Sequence, residues 1–172
     1  AAPVIAQRAG LTTPGVDAAR FLIVRESGAG SAHPFSGEKL APVLTMWRVA
    51  DFSAALDMVR TIYAYQGAGH SVGLHTAETG SLLEERARRL AAELPVCRVI
   101  VNQAHAMATG GSFDNGLPFS LSMGCGSWGR NSFSDNLNYR HYMNITRIAR
   151  RIPERIPAVE DLLGDYFREF GT

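Results

Sequence analysis

The residues best suited to moving protons or forming covalent bonds in this 172-residue chain are its five histidines and two cysteines. His70 stands in GAGHSVGLHT, where a glycine-rich turn runs into an apolar, β-type stretch. Such a junction leaves a side chain at the rim of a sheet, where ligands gather in α/β folds. An imidazole there can transfer a proton near neutral pH, or it can be a satisfied structural residue. His75 lies within the strand and reads as a core or face residue, while His33, His105 and His141 read as loop residues. No two histidines have the spacing of a helical metal site, so no metal is expected.

Cys97 leads into RVIVN and reads as a small buried hydrophobe. Cys125 is flanked by Gly124 and Gly126 in GCGSWG. A reactive thiolate needs a neighbouring base or a helix N-terminus to lower its pKa, and the sequence displays neither. The two glycines let the backbone approach a ligand closely. The segment is neither a GxGxxG opening a helix nor a Walker loop, so it is not read as a phosphate cradle. Glu38, in GEKLAPVL, precedes a strand; its carboxylate can accept two hydrogen bonds from a vicinal diol or simply be solvated.

The elements that would position these groups follow from periodicity. A first helix over residues 3–8 stops at Gly10 and the turn 12–15. RFLIV (20–24) and the stretch 42–49 read as strands, separated by a glycine-containing loop at 27–37. Asp51 is placed to cap a helix whose apolar face is Phe52, Ala55, Leu56, Val59, Ile62 and Tyr63, ended by Gly67 and Gly69. SVGLHT (71–76) reads as a strand. A capping box of Ser81 and Glu84 would open the next helix, which buries Leu83, Ala87, Leu90 and Leu94 and pairs Glu84 with Arg88 and Glu85 with Arg89. RVIVN (98–102) is a further strand, 104–118 a loop, and 119–123 a short strand. The β-α-β-α-β order implies an α/β fold with a mostly parallel sheet flanked by helices. Residues 142–149 read as an extended arm, and Pro157 suits the first turn of a last helix. Its apolar side, Val159, Leu162, Leu163, Tyr166, Phe167 and Phe170, reads as a packing surface.

Composition narrows the function. Hydrophobic residues make up 46% and charged residues 19%, as in globular domains. The net charge of +1 gives no field for nucleic acid or a membrane surface. The one basic cluster, Arg147, Arg150, Arg151 and Arg155, reads as a solvated or inter-subunit segment. No apolar run approaches the roughly 18 residues of a membrane span. The opening lacks a secretory pattern and a starting Met, and resembles mid-domain helix, which suggests a piece of a longer protein. Two unpaired cysteines fit a reducing cytoplasm.

Taken together, AQRAGLTTP, FSGEKLAPVLTMWRVADFSAAL, GAGHSVGLHT, RVIVNQ, FSLSMGCGSWGRNSFSDNL and HYMNITRIA resemble, in order and spacing, the last third of the CoA-acylating aldehyde dehydrogenases. That family includes acylating sulfoacetaldehyde dehydrogenases and the aldehyde dehydrogenase half of bifunctional aldehyde-alcohol dehydrogenases. The ending GDYFREFG favours the stand-alone enzymes. The resemblance implies a reaction in which a small aldehyde, NAD or NADP, and CoA become an acyl-CoA and the reduced cofactor. It implies that Glu38 binds the nicotinamide ribose hydroxyls and that Leu40 packs nearby. It places His70 near the nucleophile in a positioning or proton-transfer role. The turn with Gly124, Gly126 and Arg130 would lie beside the substrate entrance, where Arg130 could hold a sulfonate or carboxylate. It divides the chain into catalytic-domain residues 1–135 and an oligomerisation arm with C-terminal helix at 136–172, and so implies a homo-oligomer. Neither Cys97 nor Cys125 matches the family's nucleophile, which would lie upstream, so this stretch alone should be inactive. Two alternatives stay open: a non-acylating dehydrogenase that hydrolyses the thioester, and a catalytically dead binding or assembly module.

Overall fold

The computed structural model describes residues 1–171. Residues 1–142 form one compact unit, and a second begins at Met143. In the first unit, helix α1 (Ala2–Arg8) leads through a turn to strand β1 (Leu22–Arg25), which pairs in parallel with β2 (Val43–Met46). Helix α2 (Phe52–Tyr65) follows, then β3 (Val72–Leu74), α3 (Gly80–Glu93) and β4 (Val99–Val101). β3 and β4 are again parallel, with Val72 beside Val99 and Leu74 beside Val101. The α/β reading and the parallel pairing hold, with the strands arranged as two separate pairs.

The core lies where α2 and α3 cover the β3–β4 pair. Leu56, Val72, Leu74, Leu90, Leu94 and Val96 are buried together, with Phe52, Val59, Tyr63, Leu83 and Ala87 packed around them. These side chains recur at helical spacing on the two helices and alternate on the strands, as burial of one face requires. At the edge of this core, the guanidinium carbons of Arg86 and Arg89 sit 5.1 and 5.4 Å from the Phe52 ring centroid.

Several local expectations are corrected. The Ser81–Glu84 capping box does not form. Gly80 adopts φ +65°, which no β-carbon obstructs, so the helix begins two residues earlier, with Thr79 at its cap and Ser81 inside the first turn. The Glu84–Arg88 pair is present at 4.0 Å, but Arg89 reaches forward to Glu93 at 2.9 Å instead of back to Glu85. Glu93 also receives Arg60 of α2, so the carboxylate is shared across the two helices. Residues 119–123 do not form a strand; one antiparallel bridge joins Met123 to Asn136. There the Ser120 hydroxyl donates to the Ser122 carbonyl and accepts from the Ser122 N–H, a local bonding pattern that competes with a ladder. The loop at 104–118 contains a short helix, α4 (His105–Ala108).

In the second unit, residues 143–158 carry no regular structure and lead to α5 (Val159–Phe170). Val159, Leu162, Tyr166 and Phe170 line one side of α5 and are exposed. No helix among the described residues is long and apolar enough to cross a membrane.

The cap of α2 is directly testable. The Asp51 carboxylate accepts from the Ala54 N–H at 2.9 Å, and its loss in Asp51→Ala should cost about 1 kcal/mol. A lowered denaturation midpoint for Asp51→Ala, largely restored in Asp51→Asn, is the expected result.

Candidate functional site

His70 is set by three contacts that meet just before β3. First, the β3–β4 pairing extends backwards: the Gly69 N–H donates to the Pro95 carbonyl at 2.6 Å and the Cys97 N–H to the Gly69 carbonyl at 3.1 Å. Second, Gly69 has φ +102° and lies against the turn that follows Cys125. A β-carbon there would come within 2.8 Å of the Gly129 nitrogen and 3.0 Å of the Cys125 carbonyl oxygen. Only glycine satisfies both the left-handed backbone and this close approach. Third, Arg98, 5% exposed, lies behind the junction. Its Nη1 donates to the Gly124 carbonyl at 2.9 Å and the His70 carbonyl at 3.4 Å, and its Nε donates to Asn136 Oδ1 at 2.9 Å.

Asn136, fully buried, completes this frame. Its amide nitrogen donates to the carbonyls of Thr109 and Pro118 at 2.9 and 2.8 Å. The Gly124–Gly126 segment pairs with residues 133–135: the Gly124 N–H donates to the Asp135 carbonyl and the Gly126 N–H to the Phe133 carbonyl. Gly124 and Gly126 are both buried, and Gly126 has φ +59°. Arg130 ends the turn in a left-handed conformation, φ +58°, and is exposed.

A second loop presents Glu38. The loop is tied by His33 Nδ1 to Glu26 Oε2 at 2.8 Å, by the Trp47 indole N–H donating to the Gly28 carbonyl, and by the Ser36 hydroxyl donating to the His33 carbonyl. The Lys39 ammonium donates to the carbonyls of Phe35 and Gly37 and to Thr45 Oγ1 at 2.6, 2.7 and 3.0 Å. The Glu38 N–H then donates to Gln66 Oε1 at the end of α2, three residues before the turn into His70. The Glu38 side chain is exposed, and Leu40, φ +46° and 92% exposed, stands beside it in the chain. A non-glycine residue in the left-handed region is held there by its surroundings at a cost in strain.

The electrostatics join the two loops. Loss of water around the ring, then the Arg98 charge, push the His70 pKa below the ordinary imidazole value, and the Glu38 carboxylate opposes the shift. Thus Glu38 and His70 are within electrostatic reach. His70 Nδ1 lies 2.6 Å from Ser71 Oγ, which lies 2.8 Å from His105 Nε2. The His105 pKa is also lowered, by burial and then by His70 and His75. Burial pushes the Cys97 thiol up, which disfavours the thiolate. No cluster of three or more His, Cys, Asp or Glu side chains able to hold a metal occurs among the described residues.

No family model matches the sequence. The chain is 59% identical over 167 residues to an acylating sulfoacetaldehyde dehydrogenase of Cupriavidus necator, covering 97% of this chain and 33% of that protein. It is 36% identical to an acetylating succinate-semialdehyde dehydrogenase of Clostridium kluyveri, over 94% of this chain and 34% of the relative. A crystal structure of an acetylating aldehyde dehydrogenase from Geobacillus thermoglucosidasius superposes with a TM-score of 0.76 at 30% identity, over 92% of this chain and 33% of that one. The chain is homologous to part of the acylating aldehyde dehydrogenases. It spans about a third of the length of these relatives.

Within this segment, the structure brings Gly124 and Gly126 against the His70 junction and sets Glu38 within reach of it. Arg130 lies on the same turn but makes no hydrogen bond or ion pair through its guanidinium among the described residues. Sequence reasoning missed Arg98, Asn136, Ser71 and His105. Arg98 and Asn136 are 38 positions apart and Ser71 and His105 are 34 apart, and no local pattern signals either pairing.

The two depressed imidazoles make a prediction with a definite sign. Both rings bind a proton more weakly folded than unfolded, so their stability contribution is present above the unfolded value of about 6.5 and is lost as pH falls through the folded values. In NMR titrations His70 and His105 should have midpoints below those of a denatured control. The melting temperature should fall on acidification below about pH 6.5, less steeply in His105→Gln.

Proposed function

We propose that this chain forms the C-terminal part of the catalytic domain of an NAD(P)-dependent, CoA-acylating aldehyde dehydrogenase acting on sulfoacetaldehyde or another small aldehyde. Similarity to an acylating sulfoacetaldehyde dehydrogenase along nearly the whole chain carries the proposal. The site fits the nicotinamide cofactor. The Glu38 carboxylate is exposed on a backbone fixed by Lys39 and Gln66, and can accept both hydrogen bonds of a ribose diol. Leu40 offers exposed apolar surface beside it. The bound cofactor supplies the hydride acceptor.

His70 is the proton-handling residue. Its Nδ1 faces Ser71, and its Nε2 makes no hydrogen bond among the described residues, so that nitrogen can address the reacting group. A neutral ring near physiological pH suits a base. The turn holding Gly124 and Gly126 forms the entrance, with Arg130 as a bidentate partner for a sulfonate. The attacking thiolate is assigned to sequence outside these residues, in keeping with the raised pKa of Cys97. The exposed apolar side of α5 supports a role for the second unit in homo-oligomer contacts. A reducing cytoplasm suits a thiolate enzyme.

The test is an assay of the complete enzyme containing this segment. Reduction of NAD or NADP by sulfoacetaldehyde should require CoA. Turnover without CoA, yielding the free acid, would identify a non-acylating enzyme, and no turnover of any aldehyde would favour a binding module. Arg130→Ala should lower kcat/KM for sulfoacetaldehyde roughly 10- to 100-fold, the loss of a charge-assisted hydrogen bond, and leave acetaldehyde nearly unaffected. Equal effects on both aldehydes would remove Arg130 from substrate recognition.

A further inference from the structure

The Ser71 hydroxyl is held between two imidazoles. Its oxygen lies 2.6 Å from His70 Nδ1 and 2.8 Å from His105 Nε2. The Tyr63 hydroxyl donates to the Ser71 carbonyl at 2.6 Å, which fixes the backbone and leaves the side chain to the two rings. The His105 ring lies over Gly73, where a β-carbon would come within 2.9 Å of Nδ1. A side chain at position 73 would therefore push the ring away from Ser71.

A serine hydroxyl has one hydrogen to donate and lone pairs to accept, so the row has two neutral arrangements. In one, His70 Nδ1–H donates to Ser71 Oγ and Ser71 O–H donates to His105 Nε2, leaving His70 Nε2 bare. In the other, His105 Nε2–H donates to Ser71 Oγ and Ser71 O–H donates to His70 Nδ1, leaving a hydrogen on His70 Nε2. The first presents a base to a ligand and the second an acid.

We propose that Ser71 and His105 are positioning residues that relay a proton to and from His70, setting whether its outer nitrogen accepts or donates. The inference rests on the assignment of His70 as the proton-handling residue. When His70 Nε2 takes a proton, the Nδ1 proton passes to Ser71 Oγ and the hydroxyl proton passes to His105 Nε2. The positive charge then resides on His105, and the reverse sequence returns the proton. No bond between heavy atoms changes and no oxidant is consumed. The charged and titratable groups around the row are Arg98 behind His70, Glu38 from the loop before β2, Tyr63 on the Ser71 carbonyl, its pKa raised by burial, and His75 beyond β3. Among the described residues no carboxylate bonds either ring. Burial opposes an imidazolium on both rings, and Arg98 opposes one on His70.

The experiment compares His70→Gln, Ser71→Ala, Ser71→Thr and His105→Gln in the complete enzyme, over a range of pH, with the melting temperature of each. Ser71→Ala and His105→Gln should each lower kcat about 10- to 100-fold, within the range of general acid–base contributions, with little change in KM for aldehyde or cofactor. The pH profile should shift in His105→Gln, because the second ring of the row, 2.8 Å from Ser71 Oγ, is gone. Ser71→Thr restores the hydroxyl and should recover most of the activity. Loss of activity in His70→Gln beside full activity and an unmoved pH profile in His105→Gln and Ser71→Ala overturns the relay alone. Unchanged activity in His70→Gln overturns both the relay and the assignment of His70. Should His105→Gln fail to fold, the contrast between Ser71→Ala and Ser71→Thr decides: equal activities in the two refute the relay.

Discussion

The arrangement of the site depends on one buried cation. Arg98 points back from the start of β4 and spends its Nε and Nη1 on Asn136, Gly124 and His70, with no carboxylate among its hydrogen-bond partners. Burying a guanidinium without a counter-ion is costly, and Nη2 has no partner among the described residues. The arrangement persists because the carbonyl and amide dipoles converge on the charge from three separate segments. The turn after Cys125 joins the rest by one bridge and a few backbone bonds. The same cation that gathers the loops also lowers the proton affinity of His70. A single group thus gathers the loops and acts on the His70 ring.

Where the physics is local, the sequence was legible. The face of α2, the Asp51 cap, the apolar strand RVIVN and the glycines that end α2 follow from periodicity and backbone sterics, and the structure has them. Glu38, Leu40, His70, Gly124, Gly126 and Arg130 came from family resemblance more than from spacing. The structure locates these residues, and their roles are proposals. Where the physics is non-local, the sequence was silent. Arg98 reads as the polar start of a strand, and Asn136 as the first residue of the arm. Neither shows its partner, since a pairing across 38 positions leaves no periodic trace. The errors at Ser81 and at 119–123 have another origin, in side-chain bonds and glycine conformations that outweigh propensity by small margins.

Lys39 illustrates how a charged residue can be structural, here beside Glu38. Its ammonium collects two carbonyls and a hydroxyl within its own loop, as a compact point charge with three donors can. A planar guanidinium would not fit three converging oxygens in the same way. This explains physically why the one lysine among sixteen arginines stands next to Glu38: it stiffens the peptide that presents the carboxylate.

The contact between the His70 junction and the turn after Cys125 is mostly main chain, with Gly69 facing the Gly129 nitrogen, the Cys125 carbonyl and the Cys125 β-carbon. Main-chain atoms are common to all residues, so this join is blind to the side chains that the turn projects outward, Trp128 and Arg130 among them. Side chains of the turn can therefore change while the backbone beside His70 keeps its place. The glycine seam separates positions free to vary from a backbone contact that only glycine permits.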